Sequence, residues 1–235
     1  MRYNQFNQPI GDPVANAAQH GRLPNIERLS GAYCFLEKLN AEKHLDDLYK
    51  VYGPDSPLEN WTYLSMEPVQ SKSEVKELLL KREASADPYY LTIINKQTNE
   101  AVGTFALMRI DPVNRSIEVG WVVYSNQLKR TRIATEAQYL LAKYVFEELE
   151  YRRYEWKCDS LNQPSRNAAL RLGFTYEGTF RNAVIYKDRS RDTAWFSILD
   201  TEWPEIKARF EAWLAEDNFD ESGNQRRSLD HKSKS

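Results

Sequence analysis

The sequence predicts a mixed α/β (α+β) fold in which a largely antiparallel sheet carries helices on its faces. Three observations predict it. Three strand-like segments joined by short connections follow one another before residue 125, which favours an antiparallel meander. A long amphipathic segment follows the last of them and precedes another strand, which predicts a right-handed parallel crossover. Two more strand-like segments close the sheet, so we expect about six to seven strands and about four to five helices.

The bulk composition is that of an ordinary globular chain. The 235 residues are 41% hydrophobic and 28% charged, with a formal net charge of −2, so no overall field favours DNA, RNA or an anionic membrane. No apolar run reaches the roughly 20 residues of a membrane-spanning helix, and the N-terminus lacks the apolar core of a secretory signal. We therefore expect a cytoplasmic protein with no DNA or membrane partner. Cys34 and Cys158 have no metal-ligand spacing, and no metal is expected.

Three regions of the chain differ in composition. Residues 1–31 are rich in Asn, Gln, Pro and Gly and predict an extended N-terminal arm, either loose or draped on the domain. Residues 32–216 carry the periodic segments and form one predicted domain. Residues 217–235 lack Ile, Val and Met and are expected to be a disordered tail.

The elements of the domain follow from periodicity and from helix caps. Strands are predicted at 32–39, 89–95, 101–109, 116–124, 154–158, 174–180 and 193–199. Helices are predicted to begin after Asn40, after Ser71 or Ser73, near Ile133, after Asn162, and after Asp200 or Thr201. The loop 53–70 is punctuated by prolines; its Trp61 and Tyr63 either line a binding pocket or anchor the loop on the core.

The stretch from Ser116 to Tyr144 predicts a strand, a basic loop and a helix. Along the strand, one face carries Glu118, Gly120, Val122 and Tyr124. The loop packs three cations, Lys129, Arg130 and Arg132, into four positions. A helix start leaves backbone N–H groups unpaired at the positive end of the dipole, so a phosphate-bearing ligand is predicted there.

Several motifs occur in a fixed order along the chain. They are Glu118-Val-Gly-Trp121, the basic loop into Ala134-Thr-Glu-Ala137, Asn162-Gln-Pro-Ser165 leading to Leu172-Gly-Phe174, and Glu177-Gly-Thr-Phe-Arg181. With this set the chain resembles the GCN5-related N-acetyltransferases, in particular the branch that includes bacterial enzymes acetylating ribosomal-protein N-termini. The resemblance implies a GNAT-like sheet splayed between its fourth and fifth strands, with acetyl-CoA as co-substrate in the cleft.

In that family the loop entering the long helix cradles the pyrophosphate with backbone N–H groups. The resemblance implies cofactor-binding positions at Val122, Val123, Lys129, Arg130, Thr131, Arg132, Ile133, Ala134, Thr135, Asn162 and Ser165. Arg132 stands where Gly is usual, and Gly takes a positive φ without steric cost. An Arg there must adopt an ordinary conformation or bear a strain of about 1–3 kcal/mol, while its guanidinium is an alternative partner for a phosphate.

Direct transfer to an amine requires a proton acceptor, a stabilised oxyanion and a route for the thiolate. Glu118 is the candidate base, the alternative being a strand-edge Glu paired with Lys or Arg. The N–H of Val123, or of its neighbour Val122, is the candidate oxyanion donor. Many family members place a Tyr at the position of Ala169 to protonate the thiolate. Here the resemblance gives that role to Ser165, with helix capping or surface exposure as the alternatives.

The sequence therefore predicts an N-acetyltransferase that moves an acetyl group from acetyl-CoA directly to a primary amine of a small molecule or of a protein N-terminus. Substrate contacts are expected from Trp61, Tyr63 and Glu118. A catalytically weak acyl-CoA-binding or regulatory module is the first alternative. A ribosome- or RNA-binding protein using the basic residues between 181 and 191 is the second, against which the balanced charge argues. The acceptor and the oligomeric state stay open, a homodimer included.

Overall fold

The computed structural model describes residues 2–229, and the structural statements below refer to these residues. The strands are β1 Arg2–Tyr3, β2 Pro9–Ile10, β3 Leu29–Ser30, β4 Cys34–Lys38, β5 Tyr89–Asn95, β6 Ala101–Asp111, β7 Ser116–Tyr124, β8 Arg153–Asp159, β9 Thr175–Tyr186 and β10 Arg189–Leu199. The α-helices are α1 Ala41–Tyr52, α2 Lys72–Glu83, α3 Arg132–Lys143, α4 Gln163–Arg171 and α5 Trp203–Leu214.

Short polar side chains set the starts of the helices. Asn40 Oδ1 accepts the backbone N–H of Lys43 at 2.8 Å at the start of α1, and Ser71 Oγ accepts that of Glu74 at 3.3 Å at the start of α2. These caps confirm the predicted starts, because each removes an unpaired N–H from the first turn. The prediction for α5 is wrong: it starts after Glu202, which makes no side-chain cap.

The main sheet has eight strands in the order β3-β4-β5-β6-β7-β8-β10-β9. Every neighbouring pair is antiparallel except β7 and β8, which are parallel and joined through α3. This confirms the predicted mixed, largely antiparallel sheet with one crossover. The eighth strand is the two-residue β3, which the sequence pattern did not predict.

The sheet opens in its middle, between β7 and β8. The two strands pair only from Ser116 opposite Arg153 to Val119 opposite Trp156. Beyond that point β7 continues to Tyr124 and β8 to Asp159 without pairing to each other. These are the fourth and fifth of the predicted strands, so the expected splay is present.

A β-bulge in β7 lies directly at this opening. Ala106 of β6 faces Gly120, whereas Thr104 faces Val123, so β7 has an extra residue between them. Trp121 takes a φ of 49°, in the left-handed region. The prediction that Glu118 shares a face with Val122 and Tyr124 is therefore wrong. The extra residue turns the strand, and both side chains pack against the same core as Ile117 and Val119.

Two apolar cores lie on the two faces of the sheet. One is built with buried residues of α1 and α2, namely Leu48, Val51, Tyr52, Val75 and Leu79. The other is built with residues of α3 and α5, namely Ala137, Leu140, Leu141, Ile206, Phe210 and Trp213. The sheet, including the part that opens, therefore has helices packed on both of its faces.

The terminal segments pack on the domain. In the arm, Gly21 N–H donates to Pro112 O at 2.9 Å and Ile26 is buried, so this later part of the arm lies against the domain, whereas residues 2–20 are almost entirely exposed. Residues 217–229 do not fit the disorder expected for the tail: Asn218 is fully buried, its Nδ2 donates to Trp213 O at 2.8 Å, and Leu229 is buried. Residues 230–235 lie outside the described part, and the division at 31 and 216 stays a prediction.

Candidate active site

The loop from β7 into α3 presents free backbone donors. Thr131 Oγ1 caps α3 by accepting the N–H of Ala134 at 3.2 Å. The N–H groups of Arg130, Arg132 and Ile133 make no hydrogen bond with any other described residue. Three free donors at the positive end of a helix dipole form a cradle for an anion such as a pyrophosphate.

Arg132, which stands where Gly is usual in the family, has an ordinary backbone conformation. Arg132 is the first residue of α3 and is not in the left-handed region, so it bears none of the strain considered for it. The left-handed residue is Arg130, with a φ of 60°. The sharp turn therefore lies two residues before the usual glycine position.

The three cations of the loop point in different directions. The Arg132 guanidinium donates to Tyr33 Oη and lies over two rings, 4.5 Å from the centre of Tyr33 and 3.2 Å from that of Phe219. Lys129 Nζ donates to the Oδ1 atoms of two asparagines, Asn126 of the same loop and Asn60 between α1 and α2. Burial lowers the pKa of Lys129. Arg130 is exposed and makes no ion pair with a described residue, so its charge is available to a ligand.

Glu118 is a buried member of an ion-pair network. Its side chain is 5% exposed, and its Oε2 lies 2.6 Å from Arg109 Nη1 and 2.9 Å from Lys157 Nζ. A Cβ at Gly120 would clash with the Met108 sulfur, so the space expected beside Glu118 is filled by that side chain. Both cations contact the carboxylate oxygen that a general base would present to the acceptor amine. The alternative of a paired strand glutamate is thus realised in the geometry.

The network continues across β8. Lys157 Nζ lies 2.7 Å from Glu155 Oε2 and 3.7 Å from the centre of the Trp195 ring. Burial alone would raise the pKa of Glu155, but its bonds to Lys157 and Arg153 hold that pKa below its ordinary value. In this network each of the carboxylates Glu118 and Glu155 lies between Lys157 and an arginine, so the buried charges largely compensate one another.

The loop between α1 and α2 is anchored by Trp61 rather than opened by it. Trp61 is fully buried, its Nε1 donates to Ser56 Oγ at 2.9 Å, and its ring lies 5.8 Å from that of Tyr52. Its expected contact with substrate is corrected accordingly. Tyr63 is partly exposed and its Oη donates to Leu161 O at 3.1 Å, which bridges this loop to the one between β8 and α4.

The turn between β9 and β10 closes on the same loop. Lys187 Nζ donates to Trp61 O at 2.7 Å and pairs with Glu67 at 2.5 Å, and Arg189 Nη2 donates to Thr62 O at 2.7 Å. Two cations of the basic cluster are therefore engaged within the domain. This weakens the alternative in which the cluster binds RNA.

On the other side of the opening, Ser165 sits in the first turn of α4. Its N–H is accepted by Asn162 Oδ1 at 3.1 Å, so Asn162 is the cap and the Ser165 side chain is not. Ser165 Oγ instead accepts the indole N–H of Trp156 at 3.0 Å. Burial raises the pKa of the nearby Cys158 thiol, which disfavours the thiolate that a covalent route would need.

Sequence reasoning missed Arg109, Trp156 and Lys157 as members of this site. The signal for two of them was available: in 153–159 the charged residues alternate with aromatic ones, which places Lys157 and Trp156 on opposite faces of β8. The missing information was the register that sets Glu118 opposite Glu155. The pairing register of two strands joined by a crossover helix cannot be predicted from the sequence of either strand alone.

A splayed mixed sheet, with free backbone donors where the crossover helix begins beside the opening, defines the architecture of an acyltransferase. A family model described as an acetyltransferase (GNAT) domain matches residues 34–175, and the chain belongs to this family of N-acetyltransferases. No helix of the described residues is long and apolar enough to cross a membrane.

Known proteins resemble the chain over most of its length. The crystal structure of a GCN5-related N-acetyltransferase from Brucella melitensis is 43% identical, with a TM-score of 0.87, covering 90% of this chain and 96% of that one. An uncharacterized N-acetyltransferase, p20, of Bacillus licheniformis is 30% identical over 60% of this chain and 80% of its own. The ribosomal-protein-serine acetyltransferase of Escherichia coli is 26% identical over 69% of this chain and 91% of its own.

Proposed function

We propose that the protein transfers the acetyl group of acetyl-CoA directly to a primary amine, with the α-amine of a protein N-terminus as the preferred acceptor and small-molecule amines as the wider class. The free N–H groups of Arg130, Arg132 and Ile133 carry this proposal. They suit the pyrophosphate of acetyl-CoA, and exposed Arg130 adds a charge beside them. The family pattern adds Lys129 and Thr131 of the loop, and Ala134 and Thr135 of the first turn of α3, to the cofactor-binding positions.

The chain supplies the remaining functions from β7 and α4. Beyond Val119, β7 pairs with β6 only, so an N–H of Val122 or Val123 can face the opening and stabilise the charge that develops on the acyl oxygen. Such a donor is worth about 3 kcal/mol in acyl transfer. Ser165 is the candidate hydrogen-bond donor to the sulfur, and Asn162 Nδ2 is left for the pantetheine because only its Oδ1 is used in capping.

The state of Glu118 bears on which amine is accepted. The Glu118 carboxylate is held by Arg109 and Lys157, and because its side chain is 5% exposed we propose that it acts on the amine through a water molecule. An α-amine titrates near pH 8 and a lysine or polyamine amine roughly two units higher, so an α-amine demands less of such a base. The E. coli relative, named for a ribosomal-protein serine, supports the same acceptor class.

Thiol release with acetyl-CoA tests the proposal over a panel of acceptors. We expect short peptides that begin with Ser or Ala to turn over faster than free lysine or spermidine near neutral pH. Faster turnover of spermidine would overturn the assignment of the acceptor. Binding of acetyl-CoA without thiol release on any acceptor would favour a regulatory module, for which the ion pairs of Glu118 are the supporting observation.

A further inference from the structure

The Ser165 hydroxyl is held in one orientation by Trp156. An indole N–H only donates, whereas a hydroxyl has two lone pairs and one proton. The 3.0 Å bond therefore runs from Trp156 Nε1 to Ser165 Oγ and fills one lone pair. The hydroxyl proton is left for another acceptor, and accepting a hydrogen bond makes a hydroxyl a somewhat better donor.

Both ends of this bond are rigidly supported. Trp156 is 7% exposed, packs edge-on to Phe174 at 5.6 Å, and is the last β8 residue that pairs with β7. The N–H of Ser165 is fixed by Asn162 Oδ1. The hydroxyl thus lies where the sheet begins to open, on the α4 side.

The acceptor that competes for the hydroxyl proton is a weak one. Cys158 is the neighbouring acceptor: burial raises the pKa of its thiol, and the Ser165 hydroxyl opposes that rise. A neutral thiol is a weak hydrogen-bond acceptor. A CoA thiolate in the opening would therefore accept the hydrogen bond of the Ser165 hydroxyl in preference to Cys158. The start of the nine-residue α4 adds the positive end of its dipole at the same place.

We propose that Trp156 is a positioning residue for acyl transfer, which holds Ser165 so that its hydroxyl donates a hydrogen bond to the sulfur of the departing CoA. This inference rests on the proposed function. The C–N bond to the acceptor amine forms as the C–S bond breaks, and the electron pair of the C–S bond stays on sulfur. The surplus proton of the amine leaves toward Glu118. Ser165 keeps its own proton, and the thiolate is protonated by water after release.

A double-mutant cycle on Trp156→Phe and Ser165→Ala tests the proposal. The peptide that turns over fastest in the acceptor panel serves as acceptor, and thiol release gives kcat and KM for acetyl-CoA. We expect Ser165→Ala to lower kcat about tenfold, the size of one lost hydrogen bond to a charged group. Trp156→Phe should lower kcat several-fold at unchanged KM, and the double variant should match Ser165→Ala alone, because Trp156 acts through the hydroxyl. Independent effects that multiply would overturn the proposal.

Trp203→Phe is the matched control. Trp203 is also buried and also donates its indole N–H to a side-chain oxygen, that of Glu147 at 3.0 Å, but it lies in α5. The Trp203→Phe variant should be less stable than the wild-type protein but have an unchanged kcat. A loss of kcat in this control equal to that in Trp156→Phe would mean that Trp156 only supports the core.

A spectroscopic measurement keeps the proposal testable if Trp156→Phe does not fold. The indole N–H resonance of Trp156 should shift between the wild-type protein and Ser165→Ala, and CoA should move it in the wild type only. An indole resonance insensitive to Ser165→Ala would refute the bond. If the wild-type protein itself neither binds acetyl-CoA nor releases thiol, the proposed function fails instead, which separates the two outcomes.

Discussion

Replacing Lys157 by Met perturbs the centre of the ion-pair network with little change in volume. The Nζ of Lys157 lies 2.9 Å from Glu118 and 2.7 Å from Glu155, whose side chains are 5% and 13% exposed. Removing one partner of a buried pair costs about 3–5 kcal/mol because a charge stays buried without compensation. Each carboxylate keeps one arginine, Arg109 or Arg153, so we expect a loss at the lower end, about 3 kcal/mol.

The loss should depend on pH. The pKa of Glu155 lies below its ordinary value of 4.5, so its pairs stabilise the fold above that pH and lose this effect as the pH falls. In the Lys157→Met variant only Arg153 still opposes the effect of burial, so the pKa of Glu155 rises. Protonation of Glu155 in acid then removes the uncompensated buried charge and reduces the loss of stability. The destabilisation is therefore larger near pH 7 than near pH 5.

Urea denaturation of both proteins at the two pH values measures this. Lys50→Met is the control, because Lys50 pairs with Asp47 and Glu100 on an exposed surface, and its unfolding midpoint should barely change. A cost below about 1 kcal/mol for Lys157→Met, or one that grows in acid, would refute the view of the network as buried and mutually compensated.

Three further variants test the site. Glu118→Gln should leave CoA affinity nearly unchanged and lower kcat most at low pH, where the amine is mostly protonated; a wild-type kcat across the pH profile would remove the base role. Arg130→Ala should weaken CoA binding about tenfold in calorimetry, whereas Arg132→Ala should mainly lower the thermal midpoint, because its guanidinium lies on Tyr33. Equal effects of the two on affinity would contradict this division. Glu136→Gln should cost about 2–3 kcal/mol in urea, since its carboxylate accepts three backbone N–H groups at the start of β4 at 2.6–2.8 Å; a neutral substitution would contradict that role.

Local chemistry made much of the fold predictable. Tyr89–Asn95 was predicted to the residue, because a run of aromatic and β-branched side chains lies between Pro88 and the polar turn that begins at Lys96. Asn40 and Asn162 were recognised as caps, and Ser71 as one of two candidates with Ser73, because a short polar side chain before an amphipathic segment satisfies an unpaired N–H. Family motifs added the splay, which no periodicity encodes.

The hairpin of β9 and β10 shows where local signals fail. The predicted strands ended at 180 and began at 193, whereas the observed ones meet at the turn Lys187-Asp188. Both turn residues have positive φ, 48° and 57°. Two-residue hairpin turns with positive φ usually contain Asn or Gly. The Lys187-Asp188 pair lacks both, so the sequence did not indicate the hairpin.

The site was predicted only as far as motifs reached. Glu118 and Ser165 were named, but their partners Lys157 and Trp156 come from a strand on the far side of the crossover. The positions of Trp61 and Arg132 depend on tertiary contacts as well. Trp61 is buried in the core, and the Arg132 guanidinium lies on the ring of Phe219 in the C-terminal segment. Contacts of this kind depend on register and packing, which a single sequence does not contain.

Calorimetric titration with acetyl-CoA, beside S-acetylpantetheine, which lacks the pyrophosphate, tests the central claim most directly. The free N–H groups of Arg130, Arg132 and Ile133 predict micromolar binding of acetyl-CoA and a loss of at least about a hundredfold for the truncated thioester. Equal affinity for the two compounds would remove the phosphate cradle from the account. No binding of acetyl-CoA at all would contradict the proposed acetyl transfer itself.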